Sequence, residues 1–209
     1  MKDIENLTVQ NYLDELASKN ATPGGGSAAA LMGAQAAALV SMVCNLTLGK
    51  PKYAEVESQI QALLTEAESL RATLITMIKA DIAVFDKLMA CYALPKNQEA
   101  EKTFRSEQIQ AALKEATQVP LECAKACAKA ISLSAIAAEK GSLAVISDAG
   151  VAVVSAHAGL KSAALNVQIN AASLKDNMFA EQKLLELQQI LEQAEIETQA
   201  VYALVKSKL

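Results

Sequence analysis

An uncharged stretch near the N-terminus constrains the fold of this 209-residue chain more than any other feature. From Ala28 to Val43 only Gly33, Gln35 and Ser41 interrupt a run of apolar residues, most of them alanine. Sixteen residues fall short of the roughly 20 that an α-helix needs to cross a bilayer. Because alanine packs helices closely and interacts weakly with lipid, we interpret the stretch as a buried core helix and not as a membrane span.

The composition extends this interpretation to the whole chain. Hydrophobic residues make up 52% of the sequence but aromatic residues only 3%, so alanine, leucine and valine must supply the core. A sandwich or barrel would need more threonine, tyrosine and valine at alternating positions. With only eight glycines and four prolines, the chain has long elements and few turns. We therefore predict one all-α domain over residues 1–209, an up-and-down bundle of long Ala-rich helices.

Capping residues and prolines predict where the helices begin and end. Thr8 is expected to cap a short first helix, and Ser27 to cap a second that runs to about Leu48. Pro120 is expected to start a helix of its own, and Asp176 to cap the last one. The remaining predicted helices span residues 52–94, 97–118, 120–139 and 143–174, with an irregularity near 147–150, and the last ends at residue 208.

Charge and cysteine content exclude several classes of function. The net charge is −4 and no basic patch is interleaved with aromatic residues, so we expect no nucleic-acid partner. The first residues lack the apolar segment of a signal peptide, and the four cysteines lie in apolar helical patterns, so a cytoplasmic location is expected. Cys123 and Cys127 are one helical turn apart, but with a single histidine and no Cys-x-x-Cys we predict no metal site.

One carboxylate interrupts an apolar row. Asp81 falls in the same helical row as Leu74, Met77, Val84 and Leu88. An ionised carboxylate in a core costs roughly several kcal/mol unless it is paired with a cation. A buried carboxyl without such a partner has a raised pKa instead. We interpret Asp81 as a candidate acid–base group, with a salt bridge to a Lys or Arg as the alternative. Asp86 is off this row and is expected to be solvated.

Two further features carry polar groups. Gly24–Ser27 places three glycines before a helix, where exposed N–H groups favour an anion, although a mere tight turn explains it as well. In the sixth predicted helix a small, polar face recurs at steps of three or four and faces either a ligand cleft or a tight helix interface. His157 lies off this face, and we interpret it as structural. The face consists of Asp148, Ala152, Ser155, Gly159, Ser162, Asn166, Asn170 and Ser173.

Several of these segments together resemble a known family. The segments are 22–30 (TPGGGSAAA), 42–47 (MVCNLT), 81–86 (DIAVFD), 119–120 (VP), 146–152 (ISDAGVA) and 163–170 (AALNVQIN). In this order they are similar to the blocks of the folate cyclodeaminase/cyclohydrolase family. The resemblance implies an all-helical homodimer that handles one-carbon units on tetrahydrofolate, with no metal or other cofactor. We expect no membrane partner, because the long apolar stretch is interpreted as a core helix.

The resemblance also implies roles for the candidate residues. Asp81 would be the general acid/base, and Asp148 the second catalytic carboxylate, which with Asn166 and Asn170 would also hold the pterin. Gly24, Gly25, Gly26 and Ser27, helped by Lys50, would receive the glutamate tail, and Asn45 would also bind substrate.

Three functions remain open at this stage. A methenyltetrahydrofolate cyclohydrolase is preferred, because no formiminotransferase domain is attached to this chain. A formiminotetrahydrofolate cyclodeaminase comes second, and a non-enzymatic helical interaction protein third.

Overall fold

The computed structural model describes residues 7–209, which form six α-helices and, within that range, no strand. The all-α prediction is therefore confirmed for the described chain. Short 3₁₀ turns at Pro51–Val56 and Leu143–Val145 precede the third and fifth helices. The helices are α1 (Val9–Leu16), α2 (Gly25–Asn45), α3 (Glu57–Tyr92), α4 (Glu99–Lys140), α5 (Ile146–Ala171) and α6 (Asn177–Lys208).

Four helices surround the core. Each of α2, α3, α4 and α5 packs on the next, α5 returns to α2, and α6 lies against α4 and α5. Small residues let these helices approach closely: a Cβ added at Gly159 would lie 2.9 Å from the Ala29 carbonyl oxygen, and one at Gly33 2.8 Å from Cys127 Sγ. Cys127 is thus a packing residue, as its apolar surroundings in the sequence predicted.

Both predicted side-chain caps at the outer helices are confirmed. The hydroxyl of Thr8 accepts from the Asn11 amide at 3.1 Å, and the carboxylate of Asp176 accepts from the Phe179 amide at 3.1 Å. The prediction for Ser27 is wrong, because Gly24 is the N-cap of α2 and Ser27 lies inside its first turn. This displacement frees the Ser27 hydroxyl for a partner on another helix.

Pro120 does not begin a helix but lies inside the 42-residue α4. A proline there removes the amide that would donate to the carbonyl four residues earlier, which is that of Ala116. That carbonyl accepts instead from the side-chain amide of Asn170 on α5, at 2.6 Å. A tertiary hydrogen bond thus replaces the lost helical one, which sequence patterns could not reveal.

The irregularity expected near residues 147–150 is also misplaced. These residues are regular α-helix, and the 3₁₀ turn lies just before them. Close packing explains the glycine at position 150 instead, because a Cβ there would lie 3.0 Å from Val205 Cγ1 of α6.

By length and composition, two helices of the described chain could cross a membrane, namely Gly25–Asn45 and the segment Leu143–Ala171. Both pack in the protein core along one face, and core helices pass the same test.

Candidate active site

The carboxylate of Asp81 lies at the N-terminus of α2. The Ser27 hydroxyl donates to Asp81 Oδ2 at 2.9 Å, and the Ser27 backbone N–H donates to the same carboxylate. The N-cap residue Gly24 makes no side-chain cap of its own. A carboxylate from α3 therefore does what a capping side chain normally does, in a position that the helix dipole favours.

Gly26 makes this approach possible. A Cβ at residue 26 would overlap the carboxylate of Asp81, whereas one at Gly25 would lie 3.8 Å from Asn166 Nδ2, an ordinary contact. Neither glycine has a positive φ. The glycines are therefore required here for space at position 26, and not for backbone conformation.

Burial raises the pKa of the Asp81 carboxyl above its ordinary 3.8, while the two hydrogen bonds from Ser27 oppose the rise. No cation is among the causes of this shift. The salt-bridge alternative considered for Asp81 thus has no support in its electrostatics. A partly buried carboxyl with a raised pKa is suited to accept and return a proton.

Asp81 opens into a cleft of about 380 Å³ between α3, α4 and α5. This volume lies within the roughly 300–1,000 Å³ range of small-molecule sites. One wall is an apolar face of α3, and the opposite edge carries the polar groups of α5. The lining residues are Asp81, Val84, Phe85, Leu88, Met89 and Tyr92 of α3, Leu113 and Ala116 of α4, and Asn166, Ile169, Asn170 and Ser173 of α5.

Two carboxamides are held at the polar edge. Asn166 Nδ2 donates to the Ser162 carbonyl at 2.9 Å, and Asn170 Nδ2 donates to the Ala116 carbonyl at 2.6 Å. Since a carbonyl can only accept, each amide group must direct its NH₂ toward it, which assigns the orientation of the side chain. Asn170 is thus fixed across the α4–α5 contact by the carbonyl that Pro120 leaves without a helical donor.

The structure separates the other predicted site residues from this cleft. Asn45 is the last residue of α2, twenty positions after Gly25, which is about 30 Å at 1.5 Å per residue. Asp148 lies in the first turn of α5, eighteen positions before Asn166, or about 27 Å. Within one chain these residues therefore do not share a site with Asp81, because straight helices hold their two ends apart.

Lys50 belongs to the same distant end of the bundle. Its Nζ donates to Ser142 Oγ at 3.2 Å, and the Ser142 amide donates to Thr47 Oγ1 at 2.8 Å. These bonds connect the chain after α2 to the chain before α5. Lys50 therefore cannot assist the Gly24–Ser27 segment of its own chain, and the anionic position at that segment is taken by Asp81.

The small, polar face of α5 serves both purposes considered for it. In its middle, Ser155 Oγ donates to the Met32 carbonyl of α2 at 2.9 Å, and Gly159 permits the close contact with Ala29. Toward its C-terminus, Asn166 and Asn170 line the cleft. The two parts of the face differ because α2 begins beside Asn166. Helix α2 therefore covers the middle of α5 and leaves its last turn uncovered.

Tyr12 of α1 is a residue near the site that the sequence did not single out. It is 7% exposed, and among the described residues its hydroxyl has no hydrogen-bond partner. Burial, and secondarily the charge of Asp81, raise the pKa of this phenol. From the sequence, the position of Tyr12 in an amphipathic helix predicts only that its ring packs against the core.

His157 lies away from the cleft. Its Nε2 is 3.2 Å from Glu195 Oε2 of α6, which agrees with the structural interpretation. In the part of the chain from residue 7 onward, no three His, Cys, Asp or Glu residues are gathered as metal ligands would be.

Comparison with known proteins gives consistent matches. The sequence pattern of the formiminotransferase-cyclodeaminase family matches residues 8–189. A methenyltetrahydrofolate cyclohydrolase of Methylorubrum extorquens is 55% identical over 98% of both chains. The formimidoyltransferase-cyclodeaminase of Rattus norvegicus is 30% identical over 94% of this chain, which spans only 36% of that longer protein.

A solved structure has the same architecture. The crystal structure of a formiminotetrahydrofolate cyclodeaminase from Thermotoga maritima superimposes with a TM-score of 0.83 at 31% identity, covering 99% of this chain and 98% of that one.

Proposed function

This chain belongs to the formiminotransferase-cyclodeaminase family, and we propose that it hydrolyses 5,10-methenyltetrahydrofolate to 10-formyltetrahydrofolate. The observation that carries the proposal is the 55% identity, over 98% of both chains, to a methenyltetrahydrofolate cyclohydrolase. The relatives named as cyclodeaminases are near 30% identical, which favours hydrolysis over ammonia release.

The cleft suits such a substrate in shape and charge. Its apolar α3 wall provides a surface for a flat ring system, and Asn166 and Asn170 provide amide groups for the polar edge of a pterin. The reacting carbon of the methenyl group bridges N5 and N10 and shares a positive charge. An ionised Asp81 at this point stabilises the cation electrostatically.

The reaction then needs one group that accepts a proton from water and later returns a proton to the substrate. The oxygen of a water attacks the bridging carbon, and a proton of that water passes to Asp81. The carbon is now tetrahedral, bonded to N5, N10 and a hydroxyl. The C–N5 bond breaks as the hydroxyl becomes the formyl carbonyl, N5 receives a proton from Asp81, and the hydroxyl proton leaves to solvent. One cation and one water thus give the neutral formyl product and one proton.

Ser27 and the start of α2 control the proton affinity of this carboxyl. Burial alone would favour the neutral acid, which cannot accept a proton, whereas the Ser27 hydrogen bonds favour the charged base. The balance brings the pKa of Asp81 closer to the working pH than that of an ordinary aspartate, as acid–base catalysis requires.

The remaining properties are proposed on chemical grounds. The reaction moves protons and no electrons, so the substrate is expected to suffice without a metal or redox cofactor. An acidic chain without a basic patch is expected to bind neither nucleic acid nor an anionic membrane surface. The likeness to the family supports a homodimer, and the free cysteines support a cytoplasmic location.

Loss of the near-ultraviolet absorbance of methenyltetrahydrofolate on mixing with purified protein tests the proposal. We expect enzyme-dependent loss that greatly exceeds the buffer-catalysed rate and that Asp81→Asn slows by ~10² or more. Ammonia release from formiminotetrahydrofolate, with no acceleration of methenyl hydrolysis, would instead assign the cyclodeaminase reaction. No effect on either substrate would contradict an enzymatic role in this chemistry.

A further inference from the structure

The glutamate tail of the proposed substrate needs a binding site other than the start of α2. Asp81 occupies the anionic position there, and Lys50 lies at the opposite end of the bundle. From Asp81 the cleft extends along α3 to Tyr92, the last residue of that helix. Because the tail carries two carboxylates, a site for it requires cations near this end of the cleft.

A guanidinium group lies against Tyr92. Arg105 of α4 donates to the Tyr92 carbonyl oxygen from Nη2 at 2.9 Å and from Nε at 3.3 Å, and its Cζ is 5.8 Å from the centroid of the Tyr92 ring. The carbonyl can accept these bonds because Tyr92 ends α3 and lies beyond the last intrahelical donor. Two hydrogen bonds and a ring contact thus hold the guanidinium at the end of the cleft wall.

One edge of this guanidinium remains available. The Nε–H and the adjacent N–H of Nη2 serve the Tyr92 carbonyl. The outer N–H of Nη2 and the N–H groups of Nη1 have no partner among the residues that the structure describes. An Nη1/Nη2 edge of this kind offers two parallel donors, which match the two oxygens of a carboxylate.

A second cation lies beside the first. Lys175, which follows α5, donates from Nζ to Ser106 Oγ at 2.7 Å, and Ser106 adjoins Arg105 in the sequence. The backbone N–H of Lys175 donates to Gln110 Oε1 at 2.7 Å. Gln110 Nε2 in turn donates to the carbonyl of Ser173, a residue that lines the cleft. These bonds place the ammonium group at the same end of the cleft as Arg105.

The charges of these two cations are not neutralised within the described chain. Lys114, also on α4, pairs with Asp176 at 2.6 Å. The partners of Arg105 and Lys175, by contrast, are a carbonyl and a hydroxyl. In a chain of net charge −4, this end of the cleft is therefore a local region of positive potential that favours an anion.

The distance along α3 agrees with the length of the substrate. Tyr92 lies eleven positions after Asp81, which is about 16 Å at 1.5 Å per residue. An extended p-aminobenzoylglutamate measures about 12 Å from N10 to its terminal carboxylate at ordinary bond lengths, and a hydrogen bond adds about 3 Å. A tail that starts at Asp81 therefore reaches Arg105. Met89 and Tyr92 line this path, and their surface suits a benzoyl ring.

We propose that Arg105 binds a carboxylate of the substrate's glutamate tail through its available edge, and that Lys175 supplies the second positive charge. The inference rests on the proposed function for the identity of the ligand. It defines the substrate class as folates that carry a glutamate, in preference to pteroates that end at the p-aminobenzoyl group.

Removing the cation from the protein and the glutamate from the substrate tests this contact. The wild type and Arg105→Gln are compared on 5,10-methenyltetrahydrofolate and on 5,10-methenyltetrahydropteroate, which lacks the glutamate. Arg105→Gln should raise KM for the complete substrate at least ~10-fold, the effect of losing a hydrogen bond to a charged group. Its kcat and its KM for the truncated substrate should be those of the wild type.

Arg71→Gln is the matched control, because Arg71 is the other arginine of the chain and pairs with Glu68 on α3. It lies ten positions before Asp81, on the side away from Tyr92, so its loss should change neither KM. Arg105→Lys should keep only part of the affinity, since an ammonium retains the charge but lacks the paired N–H groups.

An unchanged KM for the complete substrate in Arg105→Gln, or an equal increase with both substrates, would overturn the inference. Calorimetric binding of 5-formyltetrahydrofolate separates it from the proposed function. If Arg105→Gln weakens this binding at least ~10-fold while the wild type hydrolyses no methenyltetrahydrofolate, only the proposed function is contradicted. If the wild type is active and Arg105→Gln binds 5-formyltetrahydrofolate as tightly as the wild type does, only the contact with Arg105 is contradicted.

Discussion

The Ser27 hydroxyl donates to Asp81 Oδ2 at 2.9 Å, and this bond joins the start of α2 to the middle of α3. Fifty-four residues separate the two partners in the sequence. Together with the Ser27 backbone N–H, the bond satisfies a partly buried carboxylate, and it favours the charged form of that carboxylate at the mouth of the cleft.

Asp81→Asn should separate activity from stability. An amide cannot accept the proton of the attacking water, so kcat should fall by ~10² or more. The raised pKa means that Asp81 contributes most to stability below pH 3.8, and that this contribution is lost as pH rises through the folded pKa. At pH 7 the variant should therefore melt at the same temperature as the wild type or higher. Near-normal turnover would remove Asp81 from the mechanism.

Ser27→Ala should move the acidic limb of the pH–rate profile to higher pH. The Ser27 hydrogen bond favours the charged carboxylate, so its loss raises the pKa of Asp81 further and leaves less base at a given acidic pH. The matched control is Ser134→Ala, because Ser134 is equally buried but bonds only to the Ala130 carbonyl in its own helix. An unchanged limb in Ser27→Ala would show that Asp81 is not the titrating base.

Gly26→Ala and Gly25→Ala should differ sharply, although the two residues are adjacent. A methyl group at position 26 overlaps the Asp81 carboxylate, whereas one at position 25 makes an ordinary contact with Asn166. Gly26→Ala should lose ~10²-fold or more in kcat/KM and about 1–3 kcal/mol of stability, the usual cost of overpacking. Gly25→Ala should retain activity within a few-fold. Equal behaviour of the two variants, by steady-state kinetics and thermal melting, would refute the approach of Asp81 to α2.

Pro120→Ala should weaken substrate binding without weakening the fold. An alanine at position 120 supplies the amide that the Ala116 carbonyl lacks, so the carbonyl no longer requires the Asn170 side chain. Loss of that anchor should raise KM several-fold, while the melting temperature should stay or rise because an interior proline is unfavourable in a helix. Pro51→Ala, at the start of a 3₁₀ turn after α2, is the control that should leave KM unchanged. A fall in melting temperature with constant KM would contradict a positioning role for Asn170.

Local patterns were sufficient for most of the helical architecture. The caps at Thr8 and Asp176 depend on neighbours three residues away, and the row that contains Asp81 depends on helical periodicity, so both could be predicted. Helix boundaries were wrong where a distant partner intervened. Pro120 lies inside a helix because the side chain of Asn170, fifty residues later, donates to the Ala116 carbonyl.

The sequence by itself determined that the chain is helical, that Asp81 lies on an inward row, and that Asn166 and Asn170 share a face. Those properties follow from a period of 3.6 residues. Only the tertiary structure decided which of these residues meet. It brought Asp81 to Gly26 and Ser27, and it left Asn45, Lys50 and Asp148 at the other end of the bundle. The physical reason is that a helix extends about 1.5 Å per residue, so two residues on one helix face can belong to the same pattern and still lie about 27 Å apart.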